Sequence, residues 1–331
     1  MTTAEATRAT SEGMPGIAVA GVTALVSGVS VFVNSYGEHS FASPALYTTA
    51  KNIVAATVLV VVAVAGGRLR RRRVTCAGGR FVTASPSNGA RRGVGHWLGL
   101  AYVGVIGGGL AFVLFFNGLA ITSPASAAFC RDTLVLWVAL LAVPILRERV
   151  QWWNVAAILL LVAGEIMFAG GVGGLALSRG QLDVLAATLL WAVEVVVAKR
   201  LLRTLSPATL SLIRMGVGGT ALVTYLAVTG SLSTLFALGS HQWGWILLTG
   251  LLLGIYVATW MTALARARAL DVTSVLVGSA VITWLLQLVA GTAAPATTAI
   301  GLVLICAGAG LVIWAGTVTR TRSSRRSTAL R

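Results

Sequence analysis

Residues 43–65 read SPALYTTAKNIVAATVLVVVAVA, an apolar run in which Lys51 is the single charged side chain. A helix that spans a bilayer needs about 20 mainly apolar residues, because the hydrocarbon core is about 30 Å thick. The apolar residues of this run are contiguous and do not alternate with polar ones, as they would in a membrane β-strand. The stretch therefore predicts a transmembrane helix.

Runs of the same kind recur along the whole chain of 331 residues. Hydrophobic residues make up 57% of the chain and charged residues 10%, whereas soluble domains carry about 25% charged residues. We therefore predict an all-α integral membrane protein with ten transmembrane helices. The expected spans are 15–34, 44–66, 94–121, 124–145, 152–170, 182–199, 207–229, 243–265, 272–290 and 296–317.

The basic residues are distributed unevenly between the two sides of these spans. With a cytoplasmic N-terminus, 21 of the 25 Lys and Arg residues lie on the cytoplasmic side, and only Arg179 lies outside. The positive-inside rule then predicts a multi-pass protein of the cell inner membrane with both termini in the cytoplasm. This asymmetry accounts for the net charge of +16 without a nucleic-acid partner, and contact with membrane lipid headgroups stays open. The predicted cytoplasmic segments are the tail 1–14, the basic loop 67–93 and the basic tail 318–331.

A short motif occurs twice in the chain. Pro44 lies seven residues before Lys51, and Pro207 lies seven residues before Arg214, at an offset of 163 residues. Because five spans lie in each half, the second copy enters the membrane from the opposite side. This pattern predicts two inverted five-helix repeats, which suit alternating access to a central site. The repeats are 15–170 and 182–317.

Four segments, in order along the chain, carry a resemblance to a known family. They are Ser43-Pro44 to Lys51, Phe115-Phe116-Asn117-Gly118-Leu119-Ala120, Leu146-Arg147-Glu148-Arg149, and Gly180-Gln181-Leu182-Asp183 before Leu190-Trp191-Ala192. Through them the chain resembles the EamA-like transporters of the drug/metabolite transporter superfamily. The resemblance implies a ten-helix carrier, often an exporter of metabolites, amino acids or drugs, with its substrate cavity between the halves. The chain departs from the family at 279–287, where a proline and a terminal glutamate often recur.

Apart from Asp183 and Lys199 at the ends of the sixth span, six charged side chains fall inside predicted spans, where a charge costs about 2.5–3.5 kcal/mol on insertion scales. Judged by depth, they form two layers. The layer nearer the outer face contains Lys51, Arg131, Asp132 and Glu165, and the layer nearer the inner face contains Glu194 and Arg214. The formal charges cancel within each layer, so we hypothesise that each layer stabilises one closed gate, or that a carboxylate releases a proton as a gate opens. Neutral ion pairs or snorkelling side chains without a transport role are the alternative.

The segment around Glu194 carries a second resemblance. Residues 190–195, Leu-Trp-Ala-Val-Glu-Val, are similar to the first helix of the small multidrug resistance proteins. In those proteins the membrane glutamate binds a proton or a cationic substrate. The resemblance implies that Glu194 is a coupling carboxylate.

Aromatic and polar residues deep in the spans are candidates for the wall of a solute cavity, because aromatic faces attract apolar and cationic solutes. The candidates are Trp191, Trp260, Trp284, Tyr256, Asn117 and Gln287. Helix packing or lipid contact is the alternative for the tryptophans. The glycine clusters at 107–109 and 216–219 are interpreted as close helix contacts and not as phosphate-binding loops.

These patterns predict a secondary transporter, and by resemblance an exporter, of a small metabolite, amino acid or drug-like solute, with proton coupling left open. A channel or a flippase for a lipid or lipid-linked metabolite is the alternative. A membrane enzyme is less favoured, because His39, His96 and His241 are scattered and no catalytic motif accompanies them. The three cysteines are far apart, so the sequence indicates neither a metal site nor a disulfide framework. No cofactor is predicted.

Overall fold

A computed structural model describes residues 16–76, 93–122, 127, 130–146, 152–168 and 178–291, and in the last segment 300, 301, 303, 304, 306–308, 310, 311 and 314. Over these residues every regular element is helical. The α-helices are α1 (Gly16–Gly37), α2 (Pro44–Cys76), α3 (Val94–Ala101), α4 (Ala111–Ala120), α5 (Leu134–Leu146), α6 (Trp152–Phe168), α7 (Arg179–Leu201), α8 (Pro207–Val228), α9 (Ser240–Arg266), α10 (Ala269–Val277) and α11 (Ser279–Val289). Short 3-10 turns occupy Glu38–Ser40 and Leu232–Leu235.

Seven stretches of the described residues are long and apolar enough to cross a membrane. They correspond to the first three predicted spans and to the sixth through ninth. The fourth and fifth predicted spans contain α5 and α6, which have 13 and 17 residues. The tenth predicted span, 296–317, falls mainly on residues outside the description. The number ten therefore stays a prediction.

Helix α2 differs from its predicted span at the C-terminal end. The predicted span is 44–66, but the helix continues to Cys76, so the basic segment 67–93 begins as helix and not as loop. Arginine is a strong helix former, and the run Arg70-Arg71-Arg72-Arg73 contains no proline to end the helix. Hydropathy marks where the membrane ends, and backbone hydrogen bonding can continue beyond that point.

Two spans are irregular near their middle. Between α3 and α4 the backbone of Tyr102–Leu110 is π-helical, although Val94–Ala120 remains one span. The ninth span is divided at Gly278, between α10 and α11. Apolar periodicity does not reveal either feature. Both matter here, because π-helical segments are frequent at functional sites and broken helices commonly form transporter binding sites.

The two halves of the chain pack through equivalent pairs of helices. In the first half α1 packs on α9, α10 and α11, and in the second half α7 packs on the span 94–120 and on α5. Similarly, α2 packs on α9, while α8 packs on the π-helical segment. The helices α2 and α8, which carry the repeated motif, pack on each other. Such pairing is what a pseudo-two-fold axis between the halves produces.

The ends of the helices form two groups, which we name the Gly16 end and the Gly37 end. Gly16 at the start of α1 lies against Ala267 after α9, and Gly37 at the end of α1 lies against Trp245 near the start of α9. Helix α2 therefore begins at the Gly37 end. Helix α8 begins at the opposite end, soon after Lys199, which donates to the carbonyl oxygen of Ala267. The two copies of the motif thus enter the bundle from opposite ends.

A glycine contact joins α8 to the π-helical segment. A Cβ added to Gly218 would lie 2.5 Å from the carbonyl oxygen of Gly108, whereas Gly216 and Gly219 on the same helix face open space. The predicted close helix contact is confirmed at Gly108 and Gly218. It is wrong for the other two glycines of the cluster, because only one side of α8 faces the neighbouring backbone.

Candidate functional site

A cavity of about 140 Å³ lies between the two halves of the chain. Its wall takes side chains from α1, α2, α4 and α5 of the first half and from α7, α8, α9 and α10 of the second. The charged residues of the wall are Lys51, Arg131, Asp132, Glu194 and Arg214. The two layers predicted from depth therefore border a single cavity. Glu165, the sixth predicted charge, has a side chain outside the described part of the protein.

Glu194 and Arg214 form a buried ion pair in this wall. The guanidinium donates through Nε to Oε1 at 2.5 Å and through Nη2 to Oε2 at 3.1 Å. Nη2 also donates to the carbonyl oxygen of Gly107 at 3.3 Å, and Trp191 Nε1 donates to the same oxygen at 3.1 Å. Both oxygens of the carboxylate are thus bound by one arginine, the geometry that makes such pairs strong.

The π-helical segment creates the space for this pair. A Cβ added to Gly107 would collide with the carboxyl group of Glu194, and one added to Gly108 would collide with the carbonyl oxygen of Arg214. Because glycine has no side chain, the backbone of this segment can approach both charged residues closely. The absence of a side chain at Gly107 and Gly108 therefore leaves room for the ion pair and for the close packing of α8.

Lys51 occupies the corresponding position in the first half, and its surroundings differ. It is 3% exposed, and its Nζ donates to Oδ1 of Asn34 at 3.1 Å. The ammonium lies 3.8 Å from the ring centre of Phe116 and 4.6 Å from that of Tyr47. The hydroxyl of Tyr47 donates to the same Asn34 oxygen. In each half, the basic residue of the second helix is thus bound by a residue of the first helix, a carboxylate in one half and an amide in the other.

Arg131 and Asp132 complete the charged wall. Arg131 donates to Oδ1 of Asp132 through Nε at 3.1 Å and through Nη2 at 2.8 Å. Nη2 also donates to the hydroxyl of Ser279 at 3.0 Å. Ser279 is the first residue of α11, just after the break at Gly278. A charged group from the fourth span of the first half therefore binds the broken ninth span at the cavity.

Aromatic rings line much of the remaining wall. Phe112 and Phe115 lie with ring centres 5.4 and 5.3 Å from Trp191. On the other side Tyr256 and Trp260 are stacked, with ring centres 6.2 Å apart. Aromatic walls with a few charged groups are typical of small-molecule sites.

A second space, of about 450 Å³, adjoins the cavity towards the Gly37 end. The two spaces share wall residues, namely Val31, Asn34, Phe115, Phe116 and Arg131. The second space is also lined by residues between α1 and α2, including Glu38 and Phe41, and by Thr122 after α4. We call it the vestibule, because it lies between the cavity and the Gly37 end.

The predicted wall residues divide into two groups. Trp191, Trp260 and Tyr256 line the cavity. Asn117, Trp284 and Gln287 are not among the residues that line these two spaces, so their role in a solute cavity stays a prediction. Asn117 is exposed, because one residue turns a helix by about 100° and Phe116 already faces inward. Trp284 and Gln287 lie further along α11 than Ser279, which is the α11 residue that reaches the charged wall.

Sequence reasoning missed Asn34, Tyr47 and Ser279. Asn34 and Tyr47 hold Lys51, and Ser279 binds Arg131. The repeat could have indicated Asn34. In each half, a polar residue of the first helix lies within reach of the basic residue of the second helix. The two positions are not equally spaced from their cations, so the offset of 163 residues does not align them.

The arrangement suits binding more than catalysis. Its groups can hold a solute by charge and by aromatic contact. Within the described ranges, no three His, Cys, Asp or Glu side chains lie together as metal ligands would.

Comparisons with known proteins agree with a two-part chain. A model of the EamA-like transporter family matches the chain twice, over residues 14–170 and 178–314. No curated protein matches it significantly. Among solved structures 28 chains match, and one of these, a crystal structure, is 21% identical and superposes with a TM-score of 0.67. The match covers 89% of this chain and 94% of the other chain, and this similarity concerns the fold.

Proposed function

Since the chain belongs to the EamA-like transporter family, we propose that it is a secondary transporter that carries a small solute by alternating access. The observation that carries this proposal is the charged and aromatic cavity, whose wall comes from both halves of the chain. A solute held there contacts both repeats at once. Motion of one repeat against the other can then expose the solute first to one side and then to the other.

The two ends of the bundle differ in how open they are, as alternating access requires. At the Gly37 end the vestibule adjoins the cavity. At the Gly16 end Lys199 donates to the carbonyl oxygens of Leu264 and Ala267, and Gly16 lies against Ala267. These contacts join α7, α9 and α1 at that end. The proposal is that this end is closed in the present conformation and opens in the other one.

The two cation sites are the proposed gates. Arg214 lies one to two turns into α8, which begins at the Gly16 end, so the Glu194–Arg214 pair lies on that side of the cavity. Lys51 lies equally far into α2, which begins at the Gly37 end. An inverted repeat exchanges the roles of such equivalent positions. We therefore expect the Glu194–Arg214 ion pair to separate when the Gly16 end opens. In the same step the Lys51–Asn34 contact is expected to help close the Gly37 end.

The proposed orientation follows from the basic residues. Lys199, Arg200, Arg203, Arg266 and Arg268 lie at the Gly16 end or in the connections next to it. The positive-inside rule makes this end cytoplasmic in the cell inner membrane, so the vestibule faces outward. Export is the proposed direction, in line with the resemblance to exporters of this family.

Proton coupling is proposed for Glu194. Its carboxylate is bound by Arg214 in the present conformation. When the guanidinium moves away, a carboxylate facing the cavity takes up a proton, because an isolated charge in a membrane interior is costly. Proton uptake would thus accompany one half of the cycle.

Counterflow in proteoliposomes tests the transport proposal. Vesicles are loaded with an unlabelled amino acid, organic acid or amine, and uptake of the same labelled compound at low concentration is followed over time. A carrier gives a saturable, transient accumulation of one compound above equilibrium. Passage that is linear in concentration and without overshoot would identify a channel and contradict the proposal.

The coupling proposal is tested on the compound that gives counterflow. We expect an imposed pH gradient to drive its uptake in wild-type protein and to have no effect in Glu194→Gln. The matched control is Asp183→Asn, which removes a carboxylate from the same helix outside the cavity wall. If Glu194→Gln keeps both transport and its pH dependence, Glu194 is not the coupling group.

A further inference from the structure

The cavity carries an excess of one positive charge among its described wall residues. Arg131 is balanced by Asp132, and Arg214 is balanced by Glu194. Lys51 forms no ion pair with any described residue; its hydrogen-bond partner is the neutral oxygen of Asn34. The sum over the described wall is therefore +1. The predicted outer layer also contains Glu165, whose side chain is outside the described part of the protein, so the cancellation of charge within that layer stays a prediction.

The carboxyl group of Glu38, which lines the vestibule, attracts Lys51 from beyond ion-pair distance, and the direct contacts of Lys51 do not neutralise it. The faces of Phe116 and Tyr47 attract the ammonium but carry no net charge. Asn34 Oδ1 already accepts from Lys51 and from the hydroxyl of Tyr47. An ammonium group has three donors, so Lys51 keeps donors for a further acceptor. Because Lys51 also borders the cavity, a solute in the cavity can supply that acceptor.

The rest of the wall indicates the size and polarity of the solute that carries the acceptor. The cavity is bordered mainly by apolar and aromatic side chains, with Phe112, Phe115 and Trp191 on one side and Tyr256 and Trp260 on another. Its volume of about 140 Å³ corresponds to about ten water-sized spheres. A compact solute with one ring or a short branched chain fits such a space.

We propose that the cavity binds a small organic monocarboxylate with an apolar body, whose carboxylate accepts from Lys51 and whose body lies against the aromatic walls. The proposal rests on the proposed transport through the same cavity. A monoanion brings the charge of the described wall to zero, whereas a cation raises it to +2 and an apolar solute leaves it at +1. This selects against the cationic substrates that the sequence of residues 190–195 suggests.

Binding to the full-length protein in detergent tests the charge directly. Three probes of similar size are titrated at pH 7 and followed calorimetrically: phenylacetate, phenylacetamide and phenethylamine, which carry negative, zero and positive charge. A hydrogen bond to a charged group predicts that phenylacetate binds about 10- to 100-fold more tightly than phenylacetamide. Phenethylamine is expected to bind most weakly. Equal binding of acid and amide, tighter binding of the amine, or no binding of any probe overturns the proposal.

Variants of Lys51 identify the group responsible. Lys51→Met is expected to bring the affinities for phenylacetate and phenylacetamide within about threefold of each other, because the charged donor is lost. Lys51→Arg keeps the charge and should keep the order of affinities. The matched control is Lys199→Met, which removes a half-buried lysine outside the cavity and should leave that order unchanged. A preference for the acid that persists in Lys51→Met overturns the assignment, and the wild-type comparison stands even if that variant does not fold.

The two proposals fail in different ways. If phenylacetate binds as expected but gives no counterflow, the anion site stands and transport of this compound class is refuted. If an amine or a neutral solute gives counterflow while phenylacetate does not bind, the transporter proposal stands and the monocarboxylate assignment is refuted.

Discussion

Gly218→Ala is expected to weaken the packing of the two spans that carry the ion pair. A Cβ at this position would lie 2.5, 2.6 and 2.8 Å from the oxygen, carbon and Cα of Gly108. These are backbone atoms, so no side chain can rotate away and α8 must move from the π-helical segment. The same helix carries Arg214, and the same segment carries Gly107, so the shift is transmitted to the site.

The magnitude follows from two opposing effects. Overpacking of a close contact costs about 1–3 kcal/mol. Replacing glycine by alanine within a helix contributes about 0.5–1 kcal/mol of stability. Gly218→Ala should therefore lower the free energy of unfolding by up to about 2.5 kcal/mol, and it should be about 1–3 kcal/mol less stable than a variant that has the helix-propensity gain alone. An alanine Cβ at Gly219 on the same helix meets no neighbouring atom within 4 Å. Gly219→Ala therefore has the helix-propensity gain without overpacking, and we expect it to be neutral or slightly stabilising.

Reversible unfolding in mixed detergent micelles measures both variants under the same conditions. The difference between Gly218→Ala and Gly219→Ala isolates the overpacking, because the helix-propensity effect is common to both. Gly216→Ala, which also faces open space, provides a second control. If Gly218→Ala is as stable as Gly219→Ala, the two backbones are not in contact in the folded protein and the reasoning is refuted.

Three further predictions concern single contacts. Gly107→Ala should destabilise the protein by about 1–2 kcal/mol through collision with Glu194. In a double-mutant cycle, most of this destabilisation should be absent when Glu194 is already alanine. Additive effects of the two substitutions would contradict the contact. Lys199→Met should lower the free energy of unfolding by about 1–3 kcal/mol, since the carbonyls of Leu264 and Ala267 lose their donor, and unchanged stability in the same unfolding assay would show that these bonds do not contribute. Ser178→Ala removes the side chain that caps α7 and should cost about 1 kcal/mol, whereas Ser178→Thr should retain most of it; equal loss in both would exclude capping as the cause.

The charge pairing around the cavity illustrates what depth along a helix can and cannot predict. Counting residues from span ends placed Lys51, Arg131 and Asp132 at similar depth, and the structure brings all three to the cavity wall. Depth alone could not say which of them pair. Arg131 binds its neighbour Asp132, while Lys51 binds Asn34 on another helix. Pairing depends on the rotation of each helix about its axis, which is a property of the packed bundle.

The aromatic candidates show the same limit. Trp191, Tyr256 and Trp260 line the cavity, but Trp284 does not. All four are deep aromatic residues in apolar spans, so their sequence surroundings are alike. The ninth span is interrupted at Gly278, before Trp284, and a hydropathy pattern contains no signal for such a break.

The sequence by itself determined the protein class, seven of the spans, the unequal placement of basic residues and the repeat of the proline-to-cation motif. These features follow from local composition, because a bilayer imposes its thickness and its charge asymmetry on each segment separately. The tertiary structure decided which faces of the helices meet, where the π-helical segment and the break at Gly278 lie, and that Lys51 is held by an amide while Arg214 is held by a carboxylate. Those features depend on contacts between residues far apart in the chain, and these contacts form only when both halves pack together.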